Sequence, residues 1–250
     1  MGRLHEENSM RRPILFVAAV AAGLCLSPGS AAAQTAEEIV SRNLQSKGGL
    51  QLLKSTTTVR MTGSVVPAGG QKVSMTMTAK RPNLVRRDVT VGDRMNTVAY
   101  DGTDVWRQSG PMPPQRIPAA EAGDVRQQAE FDGVFVDYKE KGRSVELVGK
   151  ETFKDRLVYH LKISRAGEPV QHYYLDAETG LEAKVSVEED RGGTTVTTET
   201  ELSDYKQVQG RTMPFQMRQL VNGSPVAVIT IQKIEFDVPV DAAFFKMQGR

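Results

Sequence analysis

Few side chains in this sequence have the chemistry to hold a metal or move a proton, and their spacing is that of strand residues. His160 and His172 lie at equal distance on either side of Ala166, next to Gly167. Across a hairpin they would face each other with Cβ atoms about 5 Å apart, near enough to share a metal. The same face offers Val158, Lys162, Val170 and Tyr174, and no third ligand, so a solvated cross-strand polar pair is expected and no metal. Glu188, Glu189 and Asp190 precede a turn without the spacing of a calcium loop, which reads as a solvated acidic corner. The sequence has no G-x-S-x-G elbow, H-E-x-x-H pair, phosphate-cradling loop, dinucleotide fingerprint or C-x-x-C pair. No nucleophile, base and orienter can be assembled, so neither an enzyme nor a cofactor is expected.

The single cysteine, Cys25, falls in an apolar stretch near the start of the chain. Arg11 and Arg12 give a basic start, Ile14 to Leu26 an apolar run, and Ala31-Ala32-Ala33 a small-residue site before Gln34. These are the three parts of a secretory signal, with cleavage expected after Ala33. Ser27-Pro28-Gly29-Ser30 ends the run short of the about 20 apolar residues that a spanning helix needs. Leu24 stands where a lipidation site before Cys25 would have a small residue, and Pro13 does not suit a twin-arginine signal. Either Met1 or Met10 serves as the start, since the signal needs nothing before Met10. Two domains of the precursor follow: residues 1–33 as the signal peptide and residues 34–250 as one folded, exported domain.

Lys and Arg number 32 against 30 Asp and Glu, a formal net charge of +2. Removal of residues 1–33 takes Arg3, Arg11 and Arg12 with Glu6 and Glu7 and lowers that charge by one. Such balance excludes the concentrated basic surface that a nucleic-acid partner rewards, and it offers anionic lipid no strong attraction. Without a disulfide, stability must come from burial, and a chain of this length can bury about 70% of its extended surface.

The elements that must position any site are mostly strands. Thr35 and Glu38 form a capping box for a first helix with Ile39, Val40 and Leu44 on its apolar side, stopped at Lys47-Gly48-Gly49. From Thr57 the period becomes two. Val59, Met61, Gly63 and Val65 alternate with polar residues up to a Pro67–Gly70 turn, and Val73, Met75, Met77 and Ala79 alternate after it. Leu84–Val91, Met95–Tyr100 and Thr103–Arg107 extend the sheet until Pro111, Pro113, Pro114 and Pro118 end it. Phe131, Val134, Phe135 and Tyr138 then recur at helical spacing, predicting a helix within Ala119–Lys141, with a break at Asp132-Gly133. Strands return from Ser144 to Val238, with hairpin turns at Arg191-Gly192-Gly193 and Asn222-Gly223, and a closing helical turn over Asp241–Met247. About twelve alternating strands cannot stay flat. The expected fold is mainly β: a single strongly curved antiparallel sheet, an unclosed β-barrel, with helices covering its concave side.

Candidate binding residues follow from the apolar phase. Met61, Met75 and Met77, with Val73, put flexible, polarizable thioethers on two successive strands, where they serve either an adaptable ligand surface or ordinary packing. Trp106, at a strand end before the proline-rich loop, is a rim residue of such a site or a core anchor. Phe131 and Phe135 place an aromatic stripe on the expected helix, which makes that helix a lid hinged at Gly133.

Thr35-Ala36-Glu37-Glu38-Ile39-Val40, Asp101-Gly102 with Trp106, and Phe131-Asp132-Gly133 with Asp137-Tyr138-Lys139 form a familiar series with Tyr173-Tyr174-Leu175-Asp176 and Met213-Pro214-Phe215. Together with Phe236-Asp237-Val238-Pro239-Val240-Asp241 and Phe244-Phe245, they resemble the outer-membrane lipoprotein-sorting proteins of the periplasmic lipoprotein-carrier (LolA-like) superfamily. The resemblance covers nearly all of residues 35–247. It implies an unclosed β-barrel whose apolar cavity, capped by helices, shields lipoprotein acyl chains or another lipid in the periplasm. It also implies a monomer with transient membrane contact and an envelope protein receptor. The alternative is a periplasmic sensor or assembly module that binds a protein partner through the same sheet.

Overall fold

The computed structural model describes residues 34–190 and 192–248. The expected signal segment, its cleavage site, Cys25, both candidate start methionines and Arg191 lie outside them.

Helix α1 (Ala36–Ser46) starts at the capping box: Thr35 Oγ1 accepts from the Glu38 amide at 3.2 Å, and the Glu38 carboxylate accepts from the Thr35 amide at 2.9 Å. After it Gly48 adopts φ +120°, and a Cβ there would lie 2.6 Å from the Gly210 carbonyl oxygen, so only glycine fits between helix and sheet. A short helix α2 (Leu50–Ser55) follows.

Thirteen strands follow: β1 (Thr58–Pro67), β2 (Val73–Lys80), β3 (Leu84–Val91), β4 (Arg94–Tyr100), β5 (Val105–Ser109), β6 (Gln115–Arg116), β7 (Ser144–Phe153), β8 (Arg156–Ser164), β9 (Val170–Asp176), β10 (Glu182–Asp190), β11 (Thr195–Val208), β12 (Arg211–Val221) and β13 (Ser224–Phe236). They form one antiparallel sheet in the order β6-β5-β4-β3-β2-β1-β13-β12-β11-β10-β9-β8-β7. Every neighbour is a sequence neighbour except β1 and β13, which pair the two ends of the domain. The expected mainly β, strongly curved and unclosed sheet is therefore the observed one. β6, only two residues between prolines, is too short to show an alternation.

The sheet's free edges, β6 and β7, are consecutive in sequence, so residues 117–143 must cross the concave side to join them. The helix expected within Ala119–Lys141 is not what crosses. A 3₁₀ turn (Ala119–Glu121) and helix α3 (Gly123–Gln128) lead into consecutive turns over residues 131–142. Left-handed backbone at Gly133 (φ +67°), Asp137 (φ +51°) and Gly142 (φ +71°) breaks the i→i−4 ladder, so the helical spacing of Phe131, Val134, Phe135 and Tyr138 serves a strap of turns. The lid helix is corrected accordingly.

The concave side holds three apolar clusters. Toward β7–β9, Ile39 and Val40 of α1 and Val134 and Phe135 of the strap pack on Tyr159, Leu161, Ile163 and Leu175. In the middle, Met75, Phe215, Ile231 and Ile234 are surrounded by Val59, Met61, Met213, Met217 and Phe236. Toward β3, Ala79 and Val85 meet Ala129, with Val125, Phe131, Met77 and Tyr100 packed around them. A bulge between Thr62 and Gly63 allows the close approach of β1 to β13. A Cβ on Gly63 would lie 2.1 Å from the Thr230 carbonyl oxygen.

Candidate functional site

A cavity of about 240 Å³ opens where the first ends of β1 and β12 and the last end of β13 meet α1, α2 and the strap. Its apolar wall is Leu44, Leu53, Val59, Phe131, Val134, Phe135, Met213 and Phe236. Its polar wall is satisfied internally except at Asn43. Lys47 Nζ donates to Glu182 Oε1 at 2.8 Å. Burial works against the Glu182 charge, but Lys47 beside it holds the carboxyl below the usual carboxylate range. Arg211 donates to Thr56 Oγ1 from Nε at 2.9 Å and lies over the Phe236 ring at 4.3 Å. Tyr173 also lines the space, and burial pushes its phenol pKa upward, so it stays neutral. The buried Asn43 donates to the Gly180 carbonyl at 2.8 Å, while its own Oδ1 has no hydrogen-bond partner.

The strap beside this cavity is fastened by charge. Arg81 donates from Nη1 and Nη2 to the two Asp132 oxygens at 2.7 and 2.5 Å. The same guanidinium donates to the Thr56 and Leu53 carbonyls at 2.6 and 3.0 Å and lies over the Phe131 ring at 4.9 Å. Arg143 holds both Glu130 oxygens at 2.5 and 2.7 Å, and Lys141 adds a contact at 3.1 Å. Burial disfavours the Glu130 charge, yet these hydrogen bonds outweigh it and lower its pKa. Lys54–Asp137, at 2.7 Å, and Lys139–Glu37 tie the far end. Arg81 gave no sign in the sequence, because its partners lie 25 to 51 residues away.

The residues expected to bind a ligand divide into three groups. Phe131 and Phe135 line the cavity. Met61, Met75 and Met77 share the concave face, with Met61 opposite Met77 and Gly63 opposite Met75; Val73 is on the same face opposite Val65. Met75 is buried and Met61, Met77 and Val73 half-buried in this filled apolar surface. Val59, Met213 and Phe236 belong to both the methionine cluster and the cavity wall, so the two are continuous. Trp106 is not part of this face. It pairs with Ala99, out of phase with the methionines, and is only 1% exposed. Its indole N–H donates to the Phe245 carbonyl at 2.8 Å, beneath the closing 3₁₀ turn Ala242–Phe245, which makes it an anchor of the convex side.

The two histidines meet diagonally, since His160 pairs with Tyr174 and His172 with Lys162. His160 Nε2 lies 2.7 Å from His172 Nδ1, and the Tyr174 ring stacks on His160 at 4.4 Å. A carboxylate not expected from the hairpin alone, Glu151 of β7, reaches His160 Nδ1 at 2.5 Å. Burial and the neighbouring His160 lower the His172 pKa. Among the described residues no group of three or more His, Cys, Asp or Glu is placed to hold a metal ion.

The described residues thus form a curved, unclosed antiparallel sheet with an internal apolar face and a strap across it. Among solved structures it is similar to a LolA superfamily protein from Nitrosomonas europaea, with TM-score 0.58 and 12% identity over 86% of this chain and 98% of that one. A putative outer membrane lipoprotein-sorting protein domain from Vibrio parahaemolyticus gives TM-score 0.58 and 13% identity over 84% and 95%. A DUF1329 family protein from Desulfovibrio piger gives 0.61 and 14% over 86% and 100%. No family model and no curated protein matches the sequence. The chain shares the fold of these three solved structures.

Proposed function

We propose that this chain is an exported, non-enzymatic carrier that holds an acyl chain, of a lipoprotein or another lipid, against its concave face. Residues 1–33 direct it across the inner membrane and are removed after Ala33. Residues 34–250 then act in the periplasm as a monomer, touching membranes and an envelope receptor only in passing.

The observation that carries this reading is the continuity of the cavity with the methionine cluster. A cavity of about 240 Å³ is below the roughly 300–1,000 Å³ usual for a ligand site. Its boundary with Met61, Met75, Met213 and Met217, however, consists of unbranched side chains that change rotamer without moving backbone. Each methylene transferred from water into that surface gains about 0.8 kcal/mol, so non-covalent holding suffices. The strap, fastened by ion pairs and not by continuous helix, is the element that moves to admit and release the chain. The LolA superfamily and lipoprotein-sorting descriptions of the structural neighbours are compatible with this role.

The test is native mass spectrometry of protein purified from a bacterial envelope without detergent, followed by solvent extraction. A stoichiometric acyl-bearing species is expected, and it should be lost in Met77→Glu, which puts a charge at a half-buried position of the face. Retention of lipid by folded Met77→Glu would remove the proposed surface. The second reading, a module that binds a protein through this sheet, is favoured by the fact that Met75, Ile231 and Ile234 already fill the face, each 6% exposed or less. A clean mass, no uptake of added lipid and a specific envelope crosslink would establish it.

A further inference from the structure

One basic residue sits inside the apolar face. The register places Ile234, Met61, Met77, Arg87, Val98 and Arg107 as successive partners across β13, β1, β2, β3, β4 and β5. In the next row the partners are Ile231, Gly63, Met75 and Val89. Arg87 therefore shares the face of the three methionines, between Met77 and Val98, and is half-buried there. The guanidiniums of Arg81, Arg86, Arg143 and Arg211 are all hydrogen-bonded to carboxylates, hydroxyls or carbonyls. Among the described residues, the Arg87 guanidinium has no such bond and no ion pair. Burial lowers its pKa, and the charge that partly offsets this is Asp124 in the first turn of α3, without an ion pair between them.

We propose that Arg87, assisted by Arg107, is the anchoring site for the anionic head, a phosphate or carboxylate, of an amphiphile whose tail runs over Met77, Met61 and Met75. The assignment rests on the carrier reading and specifies its ligand class.

A cation set among apolar side chains without a partner is costly, and the cost is recovered when a counter-charge arrives. The planar guanidinium presents a fork of donors that matches carboxylate and phosphate oxygens two at a time. Arg107 is on the same face two strands away, about 10 Å at the usual strand spacing, with Val98 between them. Two long side chains at that separation can close on one headgroup from either side. Arg107 is exposed, so it contributes as a screened charge, while Arg87 provides the desolvated and stronger contact. In the opposite direction along the row, Met77 and Met61 lead directly to the cluster that adjoins the cavity. Head and tail thus receive a charged and an apolar surface in continuous register.

The experiment compares two probes that share one tail, oleoyl lysophosphatidic acid and monooleoylglycerol, titrated calorimetrically below their aggregation thresholds into delipidated protein. The wild-type chain should bind the phosphate-headed probe at least tenfold more tightly. Arg87→Gln should abolish that preference while binding monooleoylglycerol unchanged, Arg87→Lys should keep part of it, and Arg107→Gln should lose less than Arg87→Gln. Folding of each variant is read from its thermal melt and from the emission of Trp106, which lies on the other face. A folded Arg87→Gln variant that still prefers the phosphate overturns the anchor. Equal affinity of the wild-type chain for both probes also overturns it and leaves the carrier reading standing, whereas no binding of either probe overturns both. Saturable binding of inorganic phosphate at Arg87 without any acyl binding would assign the site to a free anion, against the proposal.

Discussion

The two ends of the concave side solve the same problem differently. At the β7–β9 end, the sheet face is covered by α1 and the strap, and the contact is dry: Leu161, Ile163 and Leu175 are 1% exposed or less. At the β1–β4 end, the cover reaches only as far as α3 and Phe131, which pack near Met77, and Met61, Met77, Val73 and Arg87 stay half-exposed. Branched and aromatic side chains with fixed rotamers build the first surface, and unbranched thioethers with an unpaired cation occupy the second. One end is a closed core, and the other is a partly open apolar surface.

The largest expected effect belongs to the closed end. Phe135→Ala removes an aromatic ring that lies edge-on to Tyr173 at 4.9 Å and is 4% exposed. It should cost about 3–5 kcal/mol in urea unfolding. The same truncation at the other end, Met77→Ala, should cost less than about 2 kcal/mol, because a half-buried side chain leaves a smaller cavity. Equal losses would erase the distinction between the two ends.

Next is the strap that joins them. Arg81→Ala leaves Asp132 without its two-point partner, at side-chain exposures of 27% and 19% for the pair. Amide exchange over residues 131–138 should accelerate more than tenfold while global stability falls by about 1–3 kcal/mol. An unchanged exchange pattern would mean that apolar packing alone holds the strap.

Acid should act on the same fastening. Glu130 and Glu182 both have pKa values lowered below 4.5 in the folded chain by Arg143, Lys141 and Lys47, despite the opposing effect of burial. Their contribution is therefore complete above pH 4.5 and lost as pH falls through the depressed folded values. Thermal midpoints should be nearly level from pH 8 to 5 and fall below 4.5, and Glu130→Gln should lower the plateau while flattening part of that fall. A decline that sets in as pH falls below about 6.5 would instead implicate His172, whose pKa is lowered in the folded chain.

The smallest effect is expected at Trp106. Trp106→Phe removes one hydrogen bond to the Phe245 carbonyl and should cost about 1 kcal/mol. It should not alter binding of any acyl probe, and a tenfold loss would return this residue to the ligand surface.

Local rules carried the sequence reading a long way. The capping box at Thr35, the alternation of β1 and β2 and the glycine-marked hairpins depend on neighbours within a few residues, and the register pairs Met61 with Met77 as the alternation requires. The methionine face was legible for that reason, and so was a mainly β sheet too long to lie flat. Phe131, Val134, Phe135 and Tyr138 were legible as an apolar stripe but not as a strap, because nothing in their spacing signals the left-handed backbone at Asp137 and Gly142. Of the two roles open to Trp106, the core anchor is the one the fold gives it, because its cross-strand partner Ala99 is out of phase with the methionine row.

By itself the sequence determined the first helix, most of the strands and their amphipathic faces, since each is a property of composition and short spacing. Tertiary structure decided which elements meet. Pairing β1 with β13 and stretching residues 117–143 between opposite edges brought Arg81 to Asp132, Glu151 to His160, and Arg87 into the methionine row without a counter-charge. These are contacts between distant residues, set by sheet order and register, and no local pattern encodes them.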